Sequence, residues 1–211
     1  MYPSLELEAE LLGQFEAVIG VDEVGRGALA GPVAVGAARI TRSCSMDIPN
    51  GLRDSKLISE AKRSSIAELT RSWLSHSVGY STVGTIEERG ITKALELAAV
   101  EAIKPLLAEN AVILLDGSHN WLASAGLGAE IRMRTKADRD CAAVSAAALI
   151  AKTDRDGLMQ VLHEEFPDYG WSGNKGYASE SHIKAIQSLG PSIHHRTSWL
   201  GKILGGENQL F

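Results

Sequence analysis

Five consecutive apolar residues, Ala111-Val-Ile-Leu-Leu115, close on Asp116-Gly117 with no polar position among them. A strand that alternates can face water on one side, but a strand with no polar face must be covered on both. A second apolar run, Ala17-Val-Ile-Gly-Val21, ends in the same manner on Asp22-Glu23 and a glycine-rich turn. Val33-Ala-Val-Gly-Ala-Ala-Arg-Ile40 follows Pro32 and predicts a strand near enough to pair with the first as a hairpin. Residues 78–83 alternate like a third strand, and Ile131-Arg-Met-Arg-Thr135 predicts a fifth. Ser59 stands where it could cap a helix over 60–74, with Ile66, Leu69, Trp73 and Leu74 at helical spacing. Thr85-Ile-Glu-Glu88 has the form of a capping box opening a helix with Ile91, Leu95, Ala98, Ala102 and Leu106 on one stripe. A long alanine-rich helix follows the fifth strand to about Phe166. Beyond Pro167 the chain is loop-rich, with a helix near 180–189 and another near Leu200. This order predicts an α/β layer fold with a mixed five-stranded sheet flanked by helices.

A chain of 211 residues fits one large domain, or a core with a small appendage. Apolar residues make up 45% and charged residues 22%, which excludes bulk disorder and an integral membrane protein alike. The longest nearly apolar run, 141–151, falls far short of the roughly 20 residues of a spanning helix. The start, MYPSLELEAELL, lacks the basic residues and apolar stretch of a secretory signal. Cys44 and Cys141 are the only cysteines and form no CxxC pair. That argues against a disulfide framework or a cysteine-rich zinc site, and predicts a reducing, cytoplasmic setting. A net charge of −5 counts against a nonspecific nucleic-acid coat. It leaves room for an enzyme whose acids hold cations that then meet phosphates.

Sites in α/β sheets form at the carboxyl ends of strands, where Asp22, Glu23 and Asp116 stand. Asp138 lies where the fifth strand gives way to the long helix. Were these strands neighbours, four carboxylates would meet and raise one another's pKa unless cations neutralised them. All-carboxylate ligation suits Mg²⁺ or Mn²⁺, whereas zinc prefers His or Cys. Each acid also has a plainer use. Asp138 or Asp140 could cap a helix, Asp116-Gly117 could be a strand-end turn, and Asp22-Glu23 could hold a surface ion pair. Their joint occurrence at strand ends favours a metal site. Gly25-Arg-Gly27 with Gly31 faintly resembles a dinucleotide loop, but Pro32 and a β-pattern follow where that loop needs a helix.

Asp22-Glu-Val-Gly-Arg-Gly27 resembles the signature of the type 2 ribonucleases H, specifically bacterial ribonuclease HII. Arg53-Asp-Ser-Lys56, Leu115-Asp-Gly117 and Lys136-Ala-Asp138 resemble further motifs of that family. So do the alanine-rich Ala146-Ala-Ala-Leu-Ile-Ala-Lys152, Gly173-Asn-Lys-Gly-Tyr177 and His195-Arg-Thr-Ser198. They occur in family order from about Val18 to Trp199. The resemblance implies a ribonuclease H-like catalytic core over 15–166 and a C-terminal substrate-binding helical segment over 167–204 of the same domain, followed by a flexible tail, 205–211. It implies metal-dependent endonucleolytic cleavage of RNA joined to or paired with DNA: the RNA strand of hybrids, and the 5′ side of single ribonucleotides embedded in duplex DNA. Two divalent ions, Mn²⁺ or Mg²⁺, would yield 3′-hydroxyl and 5′-phosphate ends.

Carried over by residue, Asp22, Glu23, Asp116 and Asp138 match the metal-binding acids. Gly25, Arg26 and Gly27 match the loop that contacts the ribonucleotide, and Tyr177 the tyrosine beside the following sugar. Lys56, Lys175 and Arg196 are candidates for phosphate contact, with solvated surface charge as the alternative. His194 and His195 lack a partnering cysteine pattern and are expected to be structural. The sequence departs from the family pattern at Leu57, Ala148, Ala178-Ser179 and Trp199, and in a longer stretch over 118–130. Gln209-Leu-Phe211 resembles a shortened form of the peptides by which bacterial replication enzymes dock on the sliding clamp, although such a tail can also pack back onto its own domain. A monomer is expected.

Overall fold

The computed structural model describes residues 2–205. Its five strands are β1 (Ala17–Val24), β2 (Val33–Thr41), β3 (Ser75–Ser81), β4 (Ala111–Asp116) and β5 (Glu130–Arg134). They form one sheet in the order β3-β2-β1-β4-β5. β1, β2 and β3 pair antiparallel, while β4 joins β1 and β5 joins β4 in parallel. β1 is therefore the seam between a hairpin half and a parallel half. The carboxyl ends of β1, β4 and β5 all leave the sheet at one edge.

Both faces of the sheet are covered, as the unbroken apolar run of β4 requires. Val112 and Leu114 pack in one cluster, with Ala142, Val144 and Ala146 of α5 (Ala142–Glu165). Ile113 and Leu115 pack in the other, with Leu95, Ala98 and Ala102 of α3 (Val83–Ile103). α5 is alanine-rich because it lies hard against the sheet. A Cβ on Gly20 would fall 2.4 Å from the Ala143 carbonyl carbon, and one on Gly36 only 2.2 Å from the Ala147 carbonyl oxygen. A larger residue on either surface would force them apart.

Several boundaries differ from the sequence expectation. The third strand spans 75–81 rather than 78–83. The helix after it begins at Val83 with Thr82 as N-cap, whose hydroxyl oxygen accepts the Thr85 N–H at 3.2 Å. Thr85 is thus the capped residue and not the cap. Gly90, at φ 77° and ψ 160°, interrupts α3 near its first third. α2 (Glu60–Trp73) starts after Ser59, but the serine side chain makes no capping bond. The long helix breaks at Cys141 into a single turn, α4 (Ala137–Asp140), and α5. Near Leu200 the described residues form a short 3-10 helix, Thr197–Trp199, and no α-helix.

The acidic N-terminal stretch forms α1 (Glu6–Leu12), which the sequence reading did not anticipate. Leu11 and Leu12 enter the core, and the buried Glu8 carboxylate accepts the Ala143 N–H at 2.8 Å. An N-terminal side chain thereby caps α5, whose own cap residue, Cys141, has no suitable oxygen. Within the 118–130 stretch, Trp121 and Leu122 anchor the loop in the α3-side core. The C-terminal segment carries α6 (Trp171–Asn174) and α7 (Glu180–Leu189). Its Tyr169, Trp171, Ile186 and Leu200 share a third cluster with Met159 of α5 and Leu29 of the loop after β1. Among the described residues no helix is long and apolar enough to cross a membrane.

Candidate active site

β1 and β4 run parallel with Val21 beside Leu115, so Asp22 and Asp116 emerge next to each other at the sheet edge. Alternation along β1 turns Asp22 toward the face of Gly20, the side covered by α5, and Glu23 toward the other. Asp116 Oδ1 accepts the Ala137 N–H at 2.6 Å and the Asp138 N–H at 3.4 Å. It therefore serves as the acceptor for the start of α4 and draws Asp138 into the same place. Lys136, in the left-handed conformation at φ 63°, makes the turn from β5 into α4. Asp138 Oδ2 meets Lys56 Nζ at 3.2 Å. Lys56 reaches it from a 3-10 turn, Ser55–Leu57, in which Asp54 Oδ1 accepts the Lys56 N–H at 2.9 Å.

All four carboxylates, loop 25–27, Lys56 and Tyr177 line one cleft of about 570 Å³. Burial, followed by the charges of Glu23, Asp116 and Asp138, holds the Asp22 carboxyl well above the usual carboxylate range. Burial and then Asp138 raise Asp116. Glu23 is raised by burial against the pull of Arg26, whose Nη1 lies 3.4 Å from Glu23 Oε1. Burial leads in all three, and the neighbouring carboxylates add to it. Among the described residues no three His, Cys, Asp or Glu side chains stand arranged to hold an ion as they are. Lys56 and Arg26 occupy oxygens of Asp138 and Glu23 that a cation would take over. The donor chemistry fits a hard divalent cation, since every group on offer is a carboxylate oxygen. Asp140 is not among them: it pairs with Arg139 at 2.6 Å and Arg134 at 3.5 Å, and the Arg139 hydrogen bond lowers its pKa.

Two candidates from the sequence lie elsewhere. Arg196 is fully buried and donates to the carbonyls of Gly25, Arg26 and Gly31, so its guanidinium cannot reach a phosphate. Lys175 is 8% exposed, bonds the Ser172 carbonyl and pairs with Glu60 at 2.9 Å, facing a separate cavity of about 210 Å³. Conversely, Arg63 and Lys152 line the main cleft and were not singled out as phosphate contacts. Asp156 anchors both, at 3.5 and 2.7 Å. Lys152 could have been suspected from its place in the alanine-rich motif; Arg63, on α2, carries no such mark. His195 is structural as expected. Its Nδ1 accepts the Ser192 N–H at 2.9 Å, which leaves Nε2–H to donate to His182 Nε2 at 3.1 Å.

The family model described as Ribonuclease HII matches residues 19–202. The chain belongs to the ribonuclease HII family. Members cleave RNA in RNA–DNA hybrids, and the chain is accordingly a nuclease of the hydrolase class. A ribonuclease HII of Orientia tsutsugamushi strain Boryong is 37% identical over 94% of this chain and 92% of its own. Among solved structures, ribonuclease H2 from Pyrococcus horikoshii OT3 superposes with a TM-score of 0.71 at 26% identity, covering 90% of this chain and 97% of that one. Ribonuclease HII of Archaeoglobus fulgidus, solved in complex with PCNA, gives 0.70 at 27% identity over 86% and 94%. The five-stranded mixed sheet is thus a ribonuclease H-like one.

Proposed function

We propose that the chain hydrolyses the RNA strand of RNA–DNA hybrids and also cuts on the 5′ side of single ribonucleotides embedded in duplex DNA. The reading rests on one observation above others: Asp22, Glu23, Asp116 and Asp138 converge in one cleft, where burial and then neighbouring carboxylates raise the first three. These four would hold two divalent ions, Mn²⁺ or Mg²⁺. Bound there, the ions would lower the pKa of the attacking water and neutralise charge at the scissile phosphate.

The chain's own residues supply recognition. The 2′-hydroxyl is both donor and acceptor and is the feature that separates RNA from DNA. Loop 25–27 borders the cleft at Gly25 and Gly27, and nothing stands within 4 Å of a Cβ built on Gly27, so a substrate can approach its main chain closely. Tyr177, 36% exposed, offers a ring face to the next sugar while its hydroxyl accepts the Gly25 N–H at 3.1 Å. Arg26, Lys56, Arg63 and Lys152 give the cleft a cationic rim for phosphates on either side. The segment 167–204 contributes by carrying Tyr177, and the enzyme would act as a monomer in the cytoplasm. The sliding-clamp contact assigned to Gln209, Leu210 and Phe211 lies outside the described residues. Deleting 207–211 would leave cleavage of short oligonucleotides unchanged and remove binding to immobilised clamp.

The decisive experiment offers a duplex with one ribonucleotide in the presence of Mg²⁺, Mn²⁺ or EDTA, and maps the product ends. Cleavage should leave the ribonucleotide at the 5′ end of the downstream product, bearing a 5′-phosphate. Cutting in EDTA, or equal cutting of an all-DNA duplex, would defeat the reading.

A further inference from the structure

Arg155 and Arg196 both lie wholly inside the protein, and the hydrogen bonds their guanidinium groups make all end on main-chain carbonyls. Arg155 donates to Pro32 at 2.9 Å, Ala30 at 3.2 Å and Lys175 at 2.9 Å. Arg196 donates to Gly25 at 2.8 Å, Arg26 at 2.9 Å and Gly31 at 3.0 Å. A buried guanidinium is costly unless its donors are met, and here they are met by one loop and the segment that ends in Tyr177. The forks thus bracket residues 25–32 from both ends.

Gly25 shows how tightly Arg155 sits beneath this loop. A Cβ there would fall 2.1 Å from Arg155 Nε, and its φ of +83° is one that side chains seldom adopt. The Tyr177 ring lies over the same guanidinium, 5.5 Å from centroid to Cζ, while its hydroxyl accepts from Gly25. Arg155 therefore touches both halves of the proposed ribonucleotide sensor. Arg196 is held in turn by Trp199, stacked on it at 4.8 Å, and Glu87 secures Thr197 and Ser198 at 2.8–3.0 Å.

We infer that Arg155 and Arg196 are positioning residues that fix the gap between loop 25–27 and Tyr177, and so set how well the enzyme grips the ribonucleotide it cuts. Neither touches substrate. The inference rests on the proposal that Gly25, Gly27 and Tyr177 meet the ribonucleotide. Lysine in place of either arginine keeps the charge but loses the planar fork, so the two halves would no longer be held at one spacing.

The test is a double-mutant cycle on a plain RNA–DNA hybrid, with kcat and KM measured for Arg155→Lys, Tyr177→Ala and the pair. Arg155→Lys alone should cost about ten- to a hundredfold in kcat/KM, the scale of ångström-level misplacement. In a Tyr177→Ala background the same change should cost at least about threefold less, because one of the two halves it positions is gone. Full additivity would overturn the inference and leave the site reading standing. A Tyr177→Ala enzyme as active as wild type would overturn both. Arg196→Lys run through the same cycle serves should Arg155→Lys not fold. Hydrogen exchange on the unaltered protein gives a further check. The Gly25 and Gly31 amides should be protected like those of β1, and free exchange at either would refute the clamp.

Discussion

Asp116 accepts the Ala137 N–H at 2.6 Å while its carboxyl is held above its ordinary pKa by burial and by Asp138. A carboxyl with a raised folded pKa binds its proton more readily in the folded state than in the unfolded one. The fold is therefore unpenalised below the unfolded pKa of about 3.9 and loses stability as pH rises through the higher folded value. At neutral pH and without divalent ions, Asp116→Asn should raise the melting temperature, since an amide oxygen can still accept from Ala137 and the repulsion is gone. The same variant should lose turnover while retaining hybrid binding, because a neutral amide holds cations weakly and repels phosphate less. Calorimetry in EDTA and single-turnover cleavage in Mg²⁺ measure the two effects; a lower melting temperature or surviving turnover would detach Asp116 from the site. Tyr177 carries a different prediction. Tyr177→Ala should lose about 1–3 kcal/mol of stacking, more on a duplex with one ribonucleotide than on a uniform hybrid, where neighbouring registers compensate. Equal losses on both substrates would assign the tyrosine to general support.

α6, α7 and the turn after them are joined by a chain of neutral imidazoles. Trp171 Nε1–H donates to His182 Nε2 at 3.0 Å, and His182 Nδ1–H then donates to the Tyr177 carbonyl at 2.8 Å. His195 Nε2–H donates to the same His182 nitrogen, which can accept only while His182 stays neutral. Burial pushes His195 down to about 4, with the nearby His182 adding to it, and burial lowers His182 as well. The unfolded chain takes up these protons first as pH falls below about 6.5, so stability is full above that value and drains away toward pH 4. For His195 the loss approaches roughly 3 kcal/mol. The raised cleft carboxyls work in the opposite sense, so the comparison must be made against a variant. His195→Gln should show a flatter fall in melting temperature from pH 6.5 to 4.5 than wild type; parallel curves would exclude the histidines. Which elements were legible in the sequence follows from the same physics. β1 and β4 were plain because a two-sided burial demands an unbroken apolar run, and their acids stood out because each ends such a run. Thr82 was passed over for Thr85 because both offer a hydroxyl three residues before another polar side chain. α1 was missed because its defining contact, Glu8 on the Ala143 N–H, spans 135 positions of chain. Arg196 stands in the sequence as either a phosphate contact or a surface charge, and is neither, because a sequence displays charge and hides depth.

The net charge of −5 is distributed so that acids crowd the end of the sheet while Arg26, Lys56, Arg63 and Lys152 ring them. All four cations are already engaged: Arg26 by Glu23, Lys56 by Asp138, and Arg63 and Lys152 by Asp156. Without divalent ions the cleft should thus offer a nucleic acid little net attraction, and the four carboxylates should repel its phosphates. Two divalent ions would reverse the local sign and release Lys56 and Arg26 from the carboxylates to the substrate. Substrate binding and cation binding should therefore be coupled, each tightening the other by the same factor. Ca²⁺, a hard oxygen-seeking cation, allows the coupling to be read as binding separately from turnover. Hybrid affinity at fixed ionic strength should rise at least about tenfold from EDTA to millimolar Ca²⁺, a coupling within the usual 1–3 kcal/mol. Divalent ions alone should also stabilise the fold, by about 2.7 kcal/mol at a hundredfold excess over their Kd. In Asp22→Asn both gains should shrink, since that carboxyl sits among the other three. Equal hybrid affinity in EDTA and Ca²⁺, measured by anisotropy at constant ionic strength, would mean that the acids do not govern how this chain meets its substrate.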